Sequence, residues 1–100
     1  MAVIIKNTEE KQVKFNNTEI TIDDVYVRLI FVAKANGTDV EVELIPYENK
    51  EKFDESLQIN NINLPRTISG EVSEQTLANV HSLTKVKLEE LGYEVIIDLT

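Results

Sequence analysis

Residues 26–47 read YVRLIFVAKANGTDVEVELIPY and predict a β-hairpin in one register. The dipeptide Asn36-Gly37 lies between two runs in which apolar and polar residues alternate, a pattern typical of hairpins closed by a type I′ turn. A two-residue loop at this dipeptide makes every cross-strand pair on one face apolar. These pairs are Leu29–Leu44, Phe31–Val42 and Ala33–Val40. A shift of one residue would set apolar side chains against acids, so the register is strongly specified.

The second face of the hairpin carries apolar side chains among charged ones. Its cross-strand pairs are Tyr26–Tyr47, Ile30–Glu43, Val32–Glu41 and Lys34–Asp39. Ile30 and Val32 are unusual on an open surface, and tyrosine suits contacts that are half wet. We therefore expect a helix, a second sheet or a partner chain to cover part of this face. The alternative for the two tyrosines is an aromatic cross-strand pair without a functional role.

Length and composition indicate a single β-rich domain that spans residues 1–100. The 42% hydrophobic content suffices for a core, and without cysteine the chain has neither disulfides nor thiolate ligands. The apolar run Ala2–Ile5 is too short for a signal peptide, and no stretch approaches a membrane span. We expect a cytoplasmic or assembled protein without membrane contact.

The net charge of −8 disfavours nucleic acid as a partner, because neutralising phosphates requires clustered lysine and arginine. Two interpretations of the charge remain: it keeps the chain soluble, or it forms a surface that meets a basic partner.

Further elements are predicted around the main hairpin. Ala2–Ile5 reads as a strand, and Lys11–Phe15 and Thr18–Ile22 read as a smaller hairpin with Val13 opposite Ile20. Pro46 is expected to end the return strand or to place it at an edge.

The second half of the chain predicts two helices and a final strand. Asn49 can cap a short helix anchored by Phe53, and the phase slip at Asn60-Asn61 indicates a bulge or a turn. Pro65 and Gly70 bracket a surface loop that is a candidate contact loop. The long helix is Ser73–Leu91, and Gly92 follows as its left-handed C′ residue. Five apolar residues form one arc of this helix: Leu77, Val80, Leu83, Leu88 and Leu91. Tyr93–Leu99 then reads as a strand.

The sequence lacks a constellation typical of catalysis. His81 is the only histidine and lies at the margin of the helical arc, so it reads as a boundary residue at the helix edge; a general acid/base role is the alternative. Asp23-Asp24 precedes a strand and reads as a turn or edge-protecting pair, and the spacing of a calcium loop is absent. No catalytic, cofactor-binding or metal-binding residue is predicted, and a small carboxylate enzyme that uses His81 is the last of the hypotheses.

Two segments resemble small structural proteins of tailed bacteriophage virions. They are residues 24–47, which begin DVYVRL and run through the Asn36-Gly37 hairpin, and residues 88–99, which read LEELGYEVIIDL. The likeness is one of layout: a short β-rich chain with one late helix and a final strand. It implies a repeated subunit of the tail, neck or baseplate, present in the virion after assembly in the host cytoplasm, and it transfers no catalytic residue.

These observations predict an α+β fold, with a mainly antiparallel sheet or partial sandwich of five to seven strands and one long C-terminal helix packed on it. We expect a non-enzymatic structural or assembly protein without cofactors. Its expected partners are other virion or assembly proteins in a homo- or hetero-oligomer. The alternative is an acidic binding or inhibitor module for a basic protein. The expected interface residues are Tyr26, Ile30, Val32, Ile45, Tyr47, Pro65 and Arg66.

Overall fold

A five-stranded antiparallel sheet carries the long helix on one face. The computed structural model describes residues 2–55, 58–59 and 62–98, with the backbone alone for Lys50. The strands are β1 (Ala2–Lys6), β2 (Val25–Ala33), β3 (Asp39–Tyr47), β4 (Thr67–Glu71) and β5 (Glu94–Asp98), and the helices are α1 (Lys50–Asp54) and α2 (Leu77–Glu90). The strand order is β4-β3-β2-β1-β5, with every neighbouring pair antiparallel. The α+β prediction is confirmed.

The main hairpin has the predicted register but a different turn. All predicted cross-strand pairs from Tyr26–Tyr47 to Ala33–Val40 are observed. Only Gly37 of the central dipeptide has a positive φ, +85°, so the type I′ turn does not form. Gly37 instead donates its backbone N–H to the Lys34 carbonyl at 3.3 Å. The side-chain oxygen of Asn36 accepts the N–H groups of Thr38 at 3.1 Å and Asp39 at 3.0 Å. The loop gains one residue on each side, which leaves the register unchanged.

The smaller predicted hairpin forms isolated bridges instead of two strands, and its register is shifted by two residues from the predicted one. Ile22 donates its N–H to the Val13 carbonyl at 2.9 Å, so Val13 pairs with Ile22 rather than with Ile20. The turn includes Asn17, whose φ is +63°. The shift buries Ile22 and leaves Ile20 exposed, because the core lies on the side of Val13 and Ile22.

Helix α2 starts later than predicted, and its buried face overlaps the predicted arc: Val80 and Leu88 are buried and Leu83 packs against the core. The cap is Thr76 rather than Ser73, and its hydroxyl accepts the Asn79 N–H at 3.2 Å. The buried positions are Val80, His81, Thr84 and Leu88, whereas the predicted arc members Leu77 and Leu91 are exposed. The helix end is as predicted: Gly92 has a φ of +98°. Gly92 and Tyr93 donate to the carbonyls of Glu89 and Leu88, which is a Schellman motif.

The predicted loop between Pro65 and Gly70 is largely an edge strand. Residues 67–71 form β4 and pair with Asp39–Glu43 of β3. The prediction was wrong because the two core-facing residues of β4 are Ile68 and Gly70. Glycine has no side chain, so the sequence does not show the alternation of apolar and polar residues that is typical of a strand. A Cβ at Gly70 would lie 3.0 Å from Leu83 Cδ1, and the missing side chain lets α2 approach β4 closely.

Two other predictions on this part of the chain have separate outcomes. Pro46 lies one residue before the end of β3, beyond the part paired with β4, as expected for a residue without an N–H donor. The predicted bulge or turn at Asn60-Asn61 lies outside the described residues.

Candidate interaction surface

The sheet face opposite α2, here called the outer face, carries most of the residues predicted for an interface. It is formed by every second residue of each strand. These residues are Ile4 and Lys6 of β1; Tyr26, Arg28, Ile30 and Val32 of β2; Glu41, Glu43, Ile45 and Tyr47 of β3; Thr67 and Ser69 of β4; and Glu94, Ile96 and Asp98 of β5. One row crosses four strands, because Ile96 pairs with Ile4, Ile4 with Tyr26, and Tyr26 with Tyr47. The opposite face holds the core and α2.

Helix α1 covers the end of the outer face where the two tyrosines meet. The ring of Phe53 lies 5.6 Å from Tyr26 and 5.1 Å from Tyr47, measured between ring centroids. The guanidinium carbon of Arg28 lies 4.7 Å from the centroid of Phe53, within the range of a cation–π contact. Tyr26 is consequently only 2% exposed. A helix of the chain itself, one of the three covers considered, therefore occupies this half of the face.

The cover is held in place by the predicted cap. The side-chain oxygen of Asn49 accepts the N–H of Lys52 at 2.9 Å, which begins α1 directly after β3. Phe53 is then one turn along the helix, above the tyrosine pair. Both parts of the sequence prediction, Asn49 as cap and Phe53 as anchor, are confirmed.

The other half of the outer face leaves Ile30 and Val32 open. Ile30 is 53% exposed and Val32 is 59% exposed. They lie directly opposite Glu43 and Glu41 of β3, and Glu41 forms an ion pair with Lys34 at 3.3 Å. At this end of the sheet, the described part of the chain therefore exposes two large apolar side chains beside two acids. We call Ile30 and Val32, with these two glutamates, the exposed patch.

Of the remaining predicted interface residues, Ile45 lies on the outer face, and Pro65 and Arg66 lie beside it. Ile45 pairs with Arg28 and is half-buried. Pro65 is half-buried and Arg66 is exposed, and the Arg66 carbonyl accepts the Leu44 N–H at 2.8 Å. Pro65 and Arg66 precede β4 and lie next to β3, the strand that carries Ile45.

A hollow of about 440 Å³ lies on the outer face between β5 and α1. Its floor includes Ile4 and Ile96, and Ile96 is 44% exposed. At its side the ammonium of Lys6 lies 2.8 Å from Asp24 Oδ1, and this hydrogen bond and charge raise the pKa of Lys6 above its ordinary value. Ile4 and Ile96 were not among the interface residues predicted from the sequence. The sequence signal for Ile96 was its position between two acids, Glu94 and Asp98, on one face of its strand. Its pairing with Ile4 depends on the long-range register between β1 and β5, which local patterns do not give.

Asp24 lines this hollow, and Asp23-Asp24 forms a bend directly before β2, which is close to the turn that was one of the two roles expected for this pair. Asp24 has a φ of +53°, and the Asp23 carboxylate accepts the N–H groups of Asn7 at 3.3 Å and Asp24 at 3.1 Å. Within residues 2–55, 58–59 and 62–98, no group of three or more histidine, cysteine or acidic residues has the geometry to hold a metal ion.

His81 is enclosed in the core rather than at the helix margin. It is 1% exposed, and its Nδ1 lies 2.8 Å from the Leu77 carbonyl oxygen. A carbonyl only accepts, so Nδ1 carries the hydrogen. The buried Nε2 has no partner among the described residues. The ring thus lies away from every described surface, including the outer face.

Comparisons with known proteins yield no relative. The chain matches no protein-family model, no curated protein and no solved structure. Among the helices that the structure describes, none has the length and apolar character required to cross a membrane.

Proposed function

We propose that this chain is a non-enzymatic structural or assembly protein that acts through protein–protein contacts on the outer face of its sheet. The observation that carries the proposal is the exposed patch, where Ile30 and Val32 remain more than half exposed on a β-rich scaffold. Large apolar side chains that cluster on one open face are typical of surfaces that associate with another protein.

The more specific proposal is a tail, neck or baseplate subunit of a tailed bacteriophage virion. It is supported by the resemblance of residues 24–47 and 88–99 to such proteins, and by a layout in which a β-sheet precedes one late helix and a final strand. Subunits of this kind are assembled in the host cytoplasm, and their role lies in contacts with neighbouring subunits. A homo- or hetero-oligomer is therefore the expected working state.

The test compares two double variants that change equal numbers of exposed apolar residues. Ile30→Gln with Val32→Gln alters the exposed patch, whereas Leu77→Gln with Val86→Gln alters exposed positions on α2. Native mass spectrometry measures incorporation of each variant into particles or oligomers that contain the wild-type chain. Loss of incorporation for the first pair alone supports the proposal. A wild-type chain that is strictly monomeric, or equal incorporation of both pairs, contradicts it.

An acidic module that binds a basic protein is the second candidate. It is favoured by Glu41 and Glu43, which lie directly opposite the exposed Val32 and Ile30. Electrostatic association of this kind weakens as ionic strength rises, because the Debye length falls from about 10 Å at 0.1 M salt to about 3 Å at 1 M. Complex formation that is independent of salt would exclude this candidate and leave the structural role.

A further inference from the structure

A second hollow, of about 470 Å³, lies between the segment that leads into β2 and the link from β3 to α1. The described residues that line it include four apolar side chains and three carboxylates, and no lysine, arginine or histidine is among them. None of the residues of the exposed patch lines it. The second hollow is therefore a separate surface of the molecule.

The apolar part of the second hollow is formed by Phe15, Ile20, Ile22 and Ile59. Ile22 is buried in the core, and Phe15 and Ile59 are half-buried against it. Ile20 is 62% exposed, the largest exposed fraction among the large apolar side chains that the structure describes. The apolar lining therefore continues from the core to the surface.

Backbone hydrogen bonds hold this apolar lining in place. The Ile20 carbonyl accepts the Phe15 N–H at 3.1 Å, and the Ile20 N–H donates to the Thr18 hydroxyl at 3.2 Å. From the second half of the chain, Ile59 donates its N–H to the Pro46 carbonyl at 2.9 Å. The second hollow is thus formed by the fold itself, as is usual for binding sites.

Two of the three carboxylates form no ion pair with a described residue. Asp24 is paired with Lys6 at 2.8 Å. Glu48 is exposed and takes part in none of the ion pairs of the described chain. Asp23 accepts its two backbone N–H groups through Oδ1 alone, which leaves Oδ2 as a further acceptor. Negative charge beside an apolar lining is complementary to a ligand that is both apolar and cationic.

We propose that the second hollow binds the long basic side chain, lysine or arginine, of a partner protein. The aliphatic stem packs on Phe15, Ile20 and Ile59, and the charged head binds the carboxylates of Asp23 and Glu48. Lysine and arginine commonly bury their stems along apolar surface while the head stays near water. The inference goes beyond the outer-face function, and it gives a defined site to the basic partner of the second candidate function.

A second copy of the chain is a poorer occupant. Each copy carries a net charge of −8, so the long-range repulsion between two copies opposes their approach. A partner with an excess of lysine and arginine is attracted by the same charge. The occupant is therefore a different, basic protein.

The experiment uses the ¹⁵N-labelled full chain and blocked five-residue peptides. The test peptide is AAKAA. In one control norleucine replaces the lysine, which keeps the stem and removes the ammonium. In the other, 2,4-diaminobutyric acid replaces it, which keeps the ammonium on a shorter stem. We expect saturable amide shifts at residues 20–24 and 48–49, with AAKAA binding roughly threefold more tightly than the norleucine peptide and roughly fivefold more tightly than the short-stem peptide.

Two pairs of variants separate the charged and the apolar part of the site. Glu48→Gln should reduce the preference for lysine over norleucine, whereas Glu51→Gln makes the same charge change on an exposed position of α1 outside the hollow and should preserve it. Ile20→Ala should weaken the lysine and norleucine peptides by a similar factor. Leu77→Ala, an equally exposed type of position on α2, should change neither.

Equal binding of the three peptides, equal effects of the two glutamate variants, or no saturable shift at up to roughly 50 mM AAKAA overturns the inference. Shifts confined to residues 30 and 32 also overturn it. If AAKAA fails but the Ile30/Val32 double variant loses incorporation, the outer-face function stands and the inference falls. If AAKAA binds as expected and that double variant incorporates normally, the inference stands and the outer-face function falls.

Discussion

The ring of Phe53 meets the ring of Tyr47 edge-on, with centroids 5.1 Å apart and planes inclined by 75°. A helix of five residues has little stability of its own, so α1 depends on this contact to remain packed on the outer face. The same ring also shields Tyr26 from solvent.

Phe53→Ala is therefore expected to destabilise the fold by about 2 kcal/mol and to expose Tyr26. Urea unfolding gives the first quantity, and tyrosine near-ultraviolet circular dichroism reports the second. Phe53→Leu is the control, since it retains apolar volume and should lose roughly half as much. An unchanged tyrosine signal in the alanine variant would show that α1 is held by other contacts.

Gly92→Ala is expected to cost about 1 kcal/mol of unfolding free energy. The cause is the backbone, because φ is +98° and an added Cβ would lie at an ordinary 3.6 Å from Lys11 Cβ. Thermal or urea denaturation measures the change, and Gly92→Asn should lose less because asparagine tolerates this region better. Equal losses for the two variants would point to the side-chain contact instead of the backbone.

Gly70→Ala is expected to destabilise by about 1 kcal/mol, for a steric reason rather than a conformational one. The new Cβ would lie 3.0 Å from Leu83 Cδ1, so the leucine side chain must shift. A double-mutant cycle with Leu83→Ala checks the cause, because the smaller side chain should remove most of the added cost of Gly70→Ala. Strict additivity of the two changes would contradict this packing.

His81→Leu is expected to leave stability unchanged or to raise it by about 1 kcal/mol. The substitution removes a buried Nε2 that lacks a partner among the described residues, and a buried unsatisfied polar atom costs about 1–3 kcal/mol. Urea unfolding measures the change, and His81→Ala should instead destabilise through the cavity it leaves. A large loss in the leucine variant would mean that the ring nitrogens stabilise the fold, through the Nδ1–H bond to the Leu77 carbonyl or through a partner of Nε2, and would contradict the prediction.

The chain should lose stability at alkaline pH partly through Tyr93. Burial raises the pKa of the Tyr93 hydroxyl above the ordinary tyrosine value of about 10, and the hydroxyl donates to the Asn63 carbonyl at 3.2 Å. The unfolded chain therefore ionises first, so this contribution is complete below about pH 10 and is lost as the pH rises through the folded-state pKa.

Urea unfolding of the wild type and of Tyr93→Phe between pH 9 and pH 11.5 checks this contribution. The unfolding free energy of the variant should fall less steeply with rising pH than that of the wild type, by up to about 1.4 kcal/mol per pH unit. Lys6, whose pKa is also raised, remains in both proteins and cannot produce the difference. Identical slopes would contradict the assignment to Tyr93.

Local patterns predicted the parts of the fold whose partners lie close in sequence. The β2–β3 register was predictable because each slip exposes a different set of side chains, so Leu29 and Leu44 had one acceptable pairing. The turn between them was not, because Asn36 satisfies two backbone N–H groups from an ordinary φ and thereby accommodates a longer loop. Gly92 was predictable because its role depends on the helix end alone.

Long-range contacts decided the parts that sequence reasoning missed. The buried face of α2 also includes His81 and Thr84. The hydroxyl of Thr84 donates to the Val80 carbonyl at 2.9 Å, which allows this polar residue into the core. At the candidate site, Ile30 and Val32 were found from their excess apolar character. The neighbours Ile4 and Ile96 were missed, since their shared row requires β1 and β5 to meet.

The pairing of Ala2 with Asp98 has a kinetic consequence. It joins positions from opposite ends of the chain, whereas β2 and β3 meet across one short loop. Closing a longer loop costs more chain entropy, in proportion to the logarithm of its length, so the hairpin is the natural early contact and the β1–β5 ladder a late one. In native-state hydrogen exchange, the amides of β5 should therefore open at a lower free energy than those of β2. Strand β5 would then also be the first part of the sheet to separate and the last to join.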